Sequence, residues 1–134
     1  MTKKLTQICN NSGLRCDDFG YSGGHKHLPT ILKYSPQHVV YDSVRTRLVY
    51  FRPAYDSLYV ELFRDEVSSL RMWNSNIHPV LIVVFNYPLN KYTTFDMDFI
   101  NKNVFNCRKE SIDKFLIEYQ RFEWRKVNEK LILG

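Results

Sequence analysis

The sequence predicts an α+β fold: an antiparallel sheet of four to five strands, packed by a C-terminal helix and preceded by a flexible N-terminal arm. Three observations lead to it. Residues 35–64 alternate apolar and polar positions with the period of two that a half-buried strand requires. Val80–Phe85 is an unbroken apolar run rich in β-branched residues, the composition of a central strand covered on both faces. Residues 111–131 carry Ile112, Phe115, Leu116, Tyr119, Phe122, Val127 and Leu131 near the 3.6-residue period of an amphipathic helix.

Taken in chain order, the glycines come first. Gly13, Gly20, Gly23 and Gly24 all precede position 34. Glycine marks backbone freedom, so residues 1–33 are expected to form a loop-rich arm and residues 34–134 a single α+β domain. The first strand is placed at His38–Asp42 and the second at Thr46–Arg52, ended by Pro53, which has no amide hydrogen to give a ladder. A third, Ser57–Arg64, puts Leu58, Val60 and Leu62 on one face and Tyr59, Glu61 and Phe63 on the other. Val67, Leu70 and Trp73 have the spacing of one or two helical turns. Asn86–Asn90 supplies a turn after the central strand, and Thr94–Phe99 alternates Phe95, Met97 and Phe99 against Thr94, Asp96 and Asp98. Ser111 can cap the final helix by accepting a hydrogen bond from an orphan amide. A helix laid across an antiparallel sheet buries both apolar surfaces.

With 134 residues, 44% hydrophobic and 25% charged, the chain has the size and composition of one globular core. Its longest apolar run, residues 79–85, falls far short of the ~20 residues that cross a bilayer, and Met1–Gln7 lacks a signal-peptide stretch. A soluble, cytoplasmic protein with no membrane partner is therefore expected. Three cysteines, an odd number, fit a reducing compartment. The formal charge of +5 concentrates anionic partners near the surface. The expected function is that of a small basic non-catalytic binding protein, engaging an acidic protein surface or nucleic acid, with no cofactor. Arg45, Arg47 and Arg52, interleaved with Tyr55 and Tyr59, are the candidate partner-binding residues, since rings stack on bases while cations meet phosphates.

Other residues offer chemistry. Cys9, Cys16, His25 and His27 are zinc-ligand types in a glycine-rich setting, although the Cys-x6-Cys-x8-His-x-His spacing lacks the close pairs of the common zinc motifs. Asp96 and Asp98, with Glu61 on a neighbouring strand, could share a divalent cation in a metal-dependent nuclease, the alternative function. A restriction-type nuclease would follow its acidic residue with Glu-x-Lys on the next strand; Glu61-Leu62-Phe63 lacks that lysine. Cys107, placed just before the expected final helix, would have its thiol acidified by the helix terminus and act as a nucleophile.

Two short stretches carry family resemblances. His25-Lys26-His27 is similar to the His-hydrophobic-His motif of rolling-circle endonucleases, which binds a metal and works with a helical tyrosine; Tyr119 would take that place, while lysine stands where the family has an apolar residue. The order of His38-Val39-Val40-Tyr41, Leu48-Val49-Tyr50-Phe51-Arg52 and His78-Pro79-Val80-Leu81 resembles autophagy-type ubiquitin-conjugating enzymes over less than half of the chain. That family follows its last strand with His-Pro-Cys. Here Tyr87-Pro88-Leu89 stands near that position, so the resemblance implies a catalytically degenerate module.

Overall fold

The computed structural model describes residues 3–19, 34–104, 108–111 and 113–131. The elements run as helix α1 (Lys3–Asn11), strands β1 (Arg15–Asp18), β2 (His38–Tyr41), β3 (Thr46–Ala54) and β4 (Tyr59–Phe63), helix α2 (Arg64–Trp73), strands β5 (Val80–Asn86) and β6 (Lys91–Asp96), helix α3 (Met97–Val104), strands β7 (Arg108–Ser111) and β8 (Lys114–Glu118), a 3-10 turn at Tyr119–Arg121, and the short strand β9 (Arg125–Lys126). Six strands form one sheet in the order β1-β2-β3-β5-β6-β9, and β4-β8-β7 form a second.

The first sheet is mixed. β3 and β5 run parallel, in register from Leu48 opposite Val80 to Ala54 opposite Asn86, while the other pairs in both sheets are antiparallel. This corrects the expectation of an antiparallel sheet of four or five strands. A parallel pair needs a crossover, and β4 with α2 provides it between β3 and β5. β5 lies at the centre with all seven residues buried, as its composition requires. β3 runs through Pro53 to Ala54: β2 stops opposite Val49, so beyond that point only β5 flanks the strand and one missing amide is tolerated.

Two apolar layers cover the sheet. On one face Leu48, Tyr50, Ile82, Val84 and Phe95 pack with Val67 and Leu70 of α2, Met97 and Ile100 of α3, and Ile117 and Phe122. On the other, Val40, Val49, Phe51, Val83, Phe85 and Tyr92 pack with Leu5, Ile8 and Cys9 of α1 and with Leu131. α1 replaces the loop expected for the start of the chain. Its buried residues Leu5, Ile8 and Cys9 have i, i+3, i+4 spacing, and Gly13, at φ +67°, turns the chain out of the helix towards β1. The remainder of the expected arm, residues 20–33 with His25 and His27, lies outside the described residues.

The helix expected over 111–131 is absent. Ser111 ends β7, residues 114–118 are a strand, and Tyr119–Arg121 makes one turn before β9. Its apolar side chains serve separate partners: Ile117 and Phe122 join the α2 and α3 layer, whereas Leu131 joins the α1 layer. The strand expected over Thr94–Phe99 is shifted three residues towards the N-terminus, to Lys91–Asp96. β6 ends at Asp96, whose Oδ1 accepts the Phe99 N–H at 2.9 Å and so caps α3.

Candidate functional site

The candidate binding residues lie in and around β3, and the structure divides them between its two ends. At the start, Arg45 is exposed and Arg47 is buried with its guanidinium donating to Asp42. The Val44 and Arg45 amides also donate to Asp42 Oδ1, each at 2.7 Å, and together with Arg47 they hold that carboxyl below the usual range. Arg45 and Arg47 line a concavity of about 360 Å³ shared with Arg125, Asp96 and Glu123. Both signs of charge meet there.

At the other end, Arg52 reaches into the protein. Its Nε donates to the Glu61 carbonyl at 2.8 Å and lies 3.2 Å from Glu66 Oε1. Glu66 is 1% exposed; it also accepts the Tyr50 hydroxyl and the Phe63 N–H, the latter at 3.0 Å. That amide precedes α2, so Glu66 satisfies an orphan donor of the helix while neutralising Arg52. Burial first, and then the Glu66 charge, push the Tyr50 hydroxyl far above its ordinary range. Arg52 is thus committed to the interior, which its sequence position beside exposed tyrosines did not reveal. Tyr55 is exposed, Tyr59 is half-buried, and with Arg52 they line a concavity of about 310 Å³.

A third concavity, of about 530 Å³, holds residues that sequence reasoning missed. Three lysines, Lys4, Lys91 and Lys126, line it together with the carboxamides of Gln7, Asn11, Asn90 and Asn128, and no carboxylate takes part. α1 supplies one wall. The β5–β6 turn, residues 87–90, supplies another through Asn90, which holds the left-handed φ of 51° that asparagine tolerates. β9 closes the third side, with Lys126 paired opposite Lys91 and Asn11 Nδ2 donating to the Val127 carbonyl at 3.0 Å. The lysines are 35 to 122 residues apart along the chain, so only the sheet order brings them together. The one local signal was a set of lysines with amides as neighbours: Gln7 one turn after Lys4, Asn90 before Lys91 and Asn128 after Lys126.

The proposed metal and nucleophile groups do not converge among the described residues. Asp96 caps α3, Asp98 lies in its first turn, and Glu61 sits in the second sheet, 3.6 Å from Lys114 Nζ. No three His, Cys, Asp or Glu side chains gather in a metal-binding arrangement among the described residues, so those carboxylates do not form the shared cation site. Cys9 and Cys16 are free thiols in contact, one buried and one half-buried; the Cys16 hydrogen bond holds Cys9 below its ordinary value, while Cys16 is driven up. Their expected partners His25 and His27, and also Cys107, lie outside the described residues. Tyr119 starts a 3-10 turn and stacks on Trp124 at 4.8 Å, instead of projecting from a helix. Among the described residues no helix is long and apolar enough to cross a membrane.

The fold itself, a mixed six-stranded sheet with a parallel central pair and helices on both faces, is similar to that of a solved structure. The chain is similar to the Holliday junction resolvase Hjc of the archaeal hyperthermophile Archaeoglobus fulgidus, with a TM-score of 0.57 and 12% sequence identity over 92% of this chain and 93% of that one. This likeness is one of fold. No protein-family model and no curated protein matches the sequence.

Proposed function

We propose that this protein binds nucleic acid and seats backbone phosphates in the concavity of Lys4, Lys91 and Lys126. The observation that carries the reading is the composition of that site: three lysines and four carboxamide residues line it, and no aspartate or glutamate is among its lining residues. Each ammonium can displace a condensed counterion from the nucleic acid, and the carboxamides can donate to phosphate oxygens. The net charge of +5 adds long-range attraction. The fold gives further support, because the resolvase that shares it is a protein of Holliday junctions. An acidic protein surface, the other partner expected from composition, would meet the same lysines but would lack the regular spacing of phosphates.

That neighbour also favours a second reading, cleavage. For that reading Asp96 and Asp98 stand at the start of α3, whereas Glu61 stands in the second sheet beside Lys114. One assay addresses both. Fluorescence anisotropy of labelled duplex, single-stranded and four-way-junction DNA should give an affinity that falls steeply between ~50 and 200 mM salt, with a log–log slope lowered by roughly 2 to 3 when Lys4, Lys91 and Lys126 are all changed to alanine. A matched removal of the exposed Arg64, Lys102 and Arg121 should change it little. A salt-independent affinity, or equal losses in the two triple variants, would overturn the reading. Shortening of the labelled DNA with added magnesium, abolished by a chelator, would establish cleavage instead of binding alone.

A further inference from the structure

We propose that Tyr55 and Tyr87 form a stacking platform for an unpaired base of the bound nucleic acid; this rests on the reading just given and names the form of nucleic acid preferred. The platform is built by the parallel strands. Ala54 ends β3 and Asn86 ends β5 directly opposite it, so the next residues, Tyr55 and Tyr87, leave the same sheet edge side by side. Adjacent strands are about 4.8 Å apart, and the two rings lie at 5.3 Å with 9° between their planes. Tyr87 in turn meets Phe85 edge-on at 4.8 Å and 74°. Exposure climbs outward along this series, from 0% at Phe85 through 41% at Tyr87 to 73% at Tyr55.

The backbone beneath the rings is fixed. The Tyr87 N–H donates to the Ala54 carbonyl at 3.0 Å, Asn86 Nδ2 to the Asp56 carbonyl at 3.1 Å, and the Leu58 N–H to Asp56 Oδ1 at 2.7 Å. A bound ring therefore meets a surface already ordered, which reduces the entropy lost on binding. One face of Tyr55 is covered by Tyr87, and its large remaining exposure leaves a flat aromatic surface to solvent. A flat aromatic face is what a nucleobase needs.

Charge complementarity selects a base over other planar or apolar groups. Tyr87 opens the β5–β6 turn whose later residues, Leu89 and Asn90, line the lysine concavity. A strand whose phosphates sit on the lysines thus passes within one turn of the rings. Bases inside a duplex already stack on one another and present only their edges, whereas a single strand or an unpaired junction base can turn a face to Tyr55.

The test uses the full chain and two fluorescein-labelled DNAs of equal length, a single strand and a blunt duplex, with anisotropy as readout and thermal melting to confirm folding. Tyr55→Ala should weaken single-strand binding by roughly 5- to 100-fold, as loss of one base–aromatic stack does, while duplex affinity stays within about twofold and the salt slope of both is kept. Tyr55→Phe should bind as the unaltered protein does. An unchanged single-strand affinity in Tyr55→Ala, or equal loss on both DNAs, overturns the platform while leaving salt-dependent binding intact. Full rescue by Tyr55→Leu also overturns it, since an apolar contact suited to a peptide would then suffice. Absence of DNA binding by the unaltered protein overturns both proposals.

Discussion

Replacing Glu66 by leucine should cost about 3 kcal/mol of stability, because it strands a buried cation and a buried hydroxyl at once. Glu66 accepts the Tyr50 hydroxyl and the Phe63 N–H, and its Oε1 lies 3.2 Å from Arg52 Nε. Breaking a buried pair by deleting one partner costs ~3–5 kcal/mol. The lower end applies here, since the Arg52 side chain is 17% exposed and keeps its bond to the Glu61 carbonyl. Tyr50→Phe alone should cost ~1.5 kcal/mol, the value of a hydrogen bond to a charged acceptor. In the Glu66→Leu background the same change should be neutral or gain ~1 kcal/mol, because the hydroxyl it removes has lost its partner. Urea unfolding followed by circular dichroism reads this directly: with an m-value of ~1.5 kcal/mol/M, the midpoint of Glu66→Leu should fall by ~2 M. A fall below about 0.5 M, or an equal cost of Tyr50→Phe in both backgrounds, would refute the account of this network.

Two pH-dependent effects follow from burial. His38 pairs with Asp18 at 3.2 Å, yet burial outweighs that carboxylate and holds the imidazole below its ordinary 6.5. The unfolded chain then binds the proton more readily, so this contribution is intact above pH 6.5 and is lost as pH falls below it; unfolding at pH 7.5 and 5 should show a smaller drop in His38→Gln, and an unchanged drop would count against it. Burial pushes the Tyr92 hydroxyl, which donates to the Glu129 carbonyl at 2.7 Å, up to about 12. The folded state keeps that proton after the unfolded chain has released it, so stability present below pH 10.0 should decline between 10.0 and about 12, and Tyr92→Phe should lessen the decline seen in alkaline circular dichroism.

The sequence carried clear marks of strands that depend on composition. Val80–Phe85 reads as a buried central strand because it lacks any polar position, and the structure places it there. Its parallel direction was invisible, since pairing direction depends on how the α2 crossover returns the chain to the sheet. The helix over 111–131 failed for a related reason. Seven apolar residues at near-helical spacing do not say whether they face one surface, and here Ile117 and Leu131 lie in opposite layers. Phe115 and Ile117 are aromatic or β-branched, a bias towards strand that outweighs the period in β8. Conversely, the early glycines concealed α1, although Leu5, Ile8 and Cys9 already had helical spacing and Gly13 a stopping role. Of the candidate partner-binding residues, Arg52, Tyr55 and Tyr59 line one concavity and Arg45 and Arg47 another. The lysine concavity could not be read, because its three cations meet only after α1, β6 and β9 have assembled.

Leu131 donates its amide to Ser12 Oγ at 2.7 Å across 119 intervening peptide links, and it packs in the same layer as Leu5 and Ile8. During synthesis the first helix is therefore made long before Leu131, the last side chain to join the sheet residues that shield its greasy side. While the ribosome adds the intervening residues, Leu5 and Ile8 have no permanent cover, and such surfaces invite aggregation. Closing so distant a contact is also slow. A nascent chain stalled before β5 and β6 are made should consequently need a chaperone more than one stalled just before Val127.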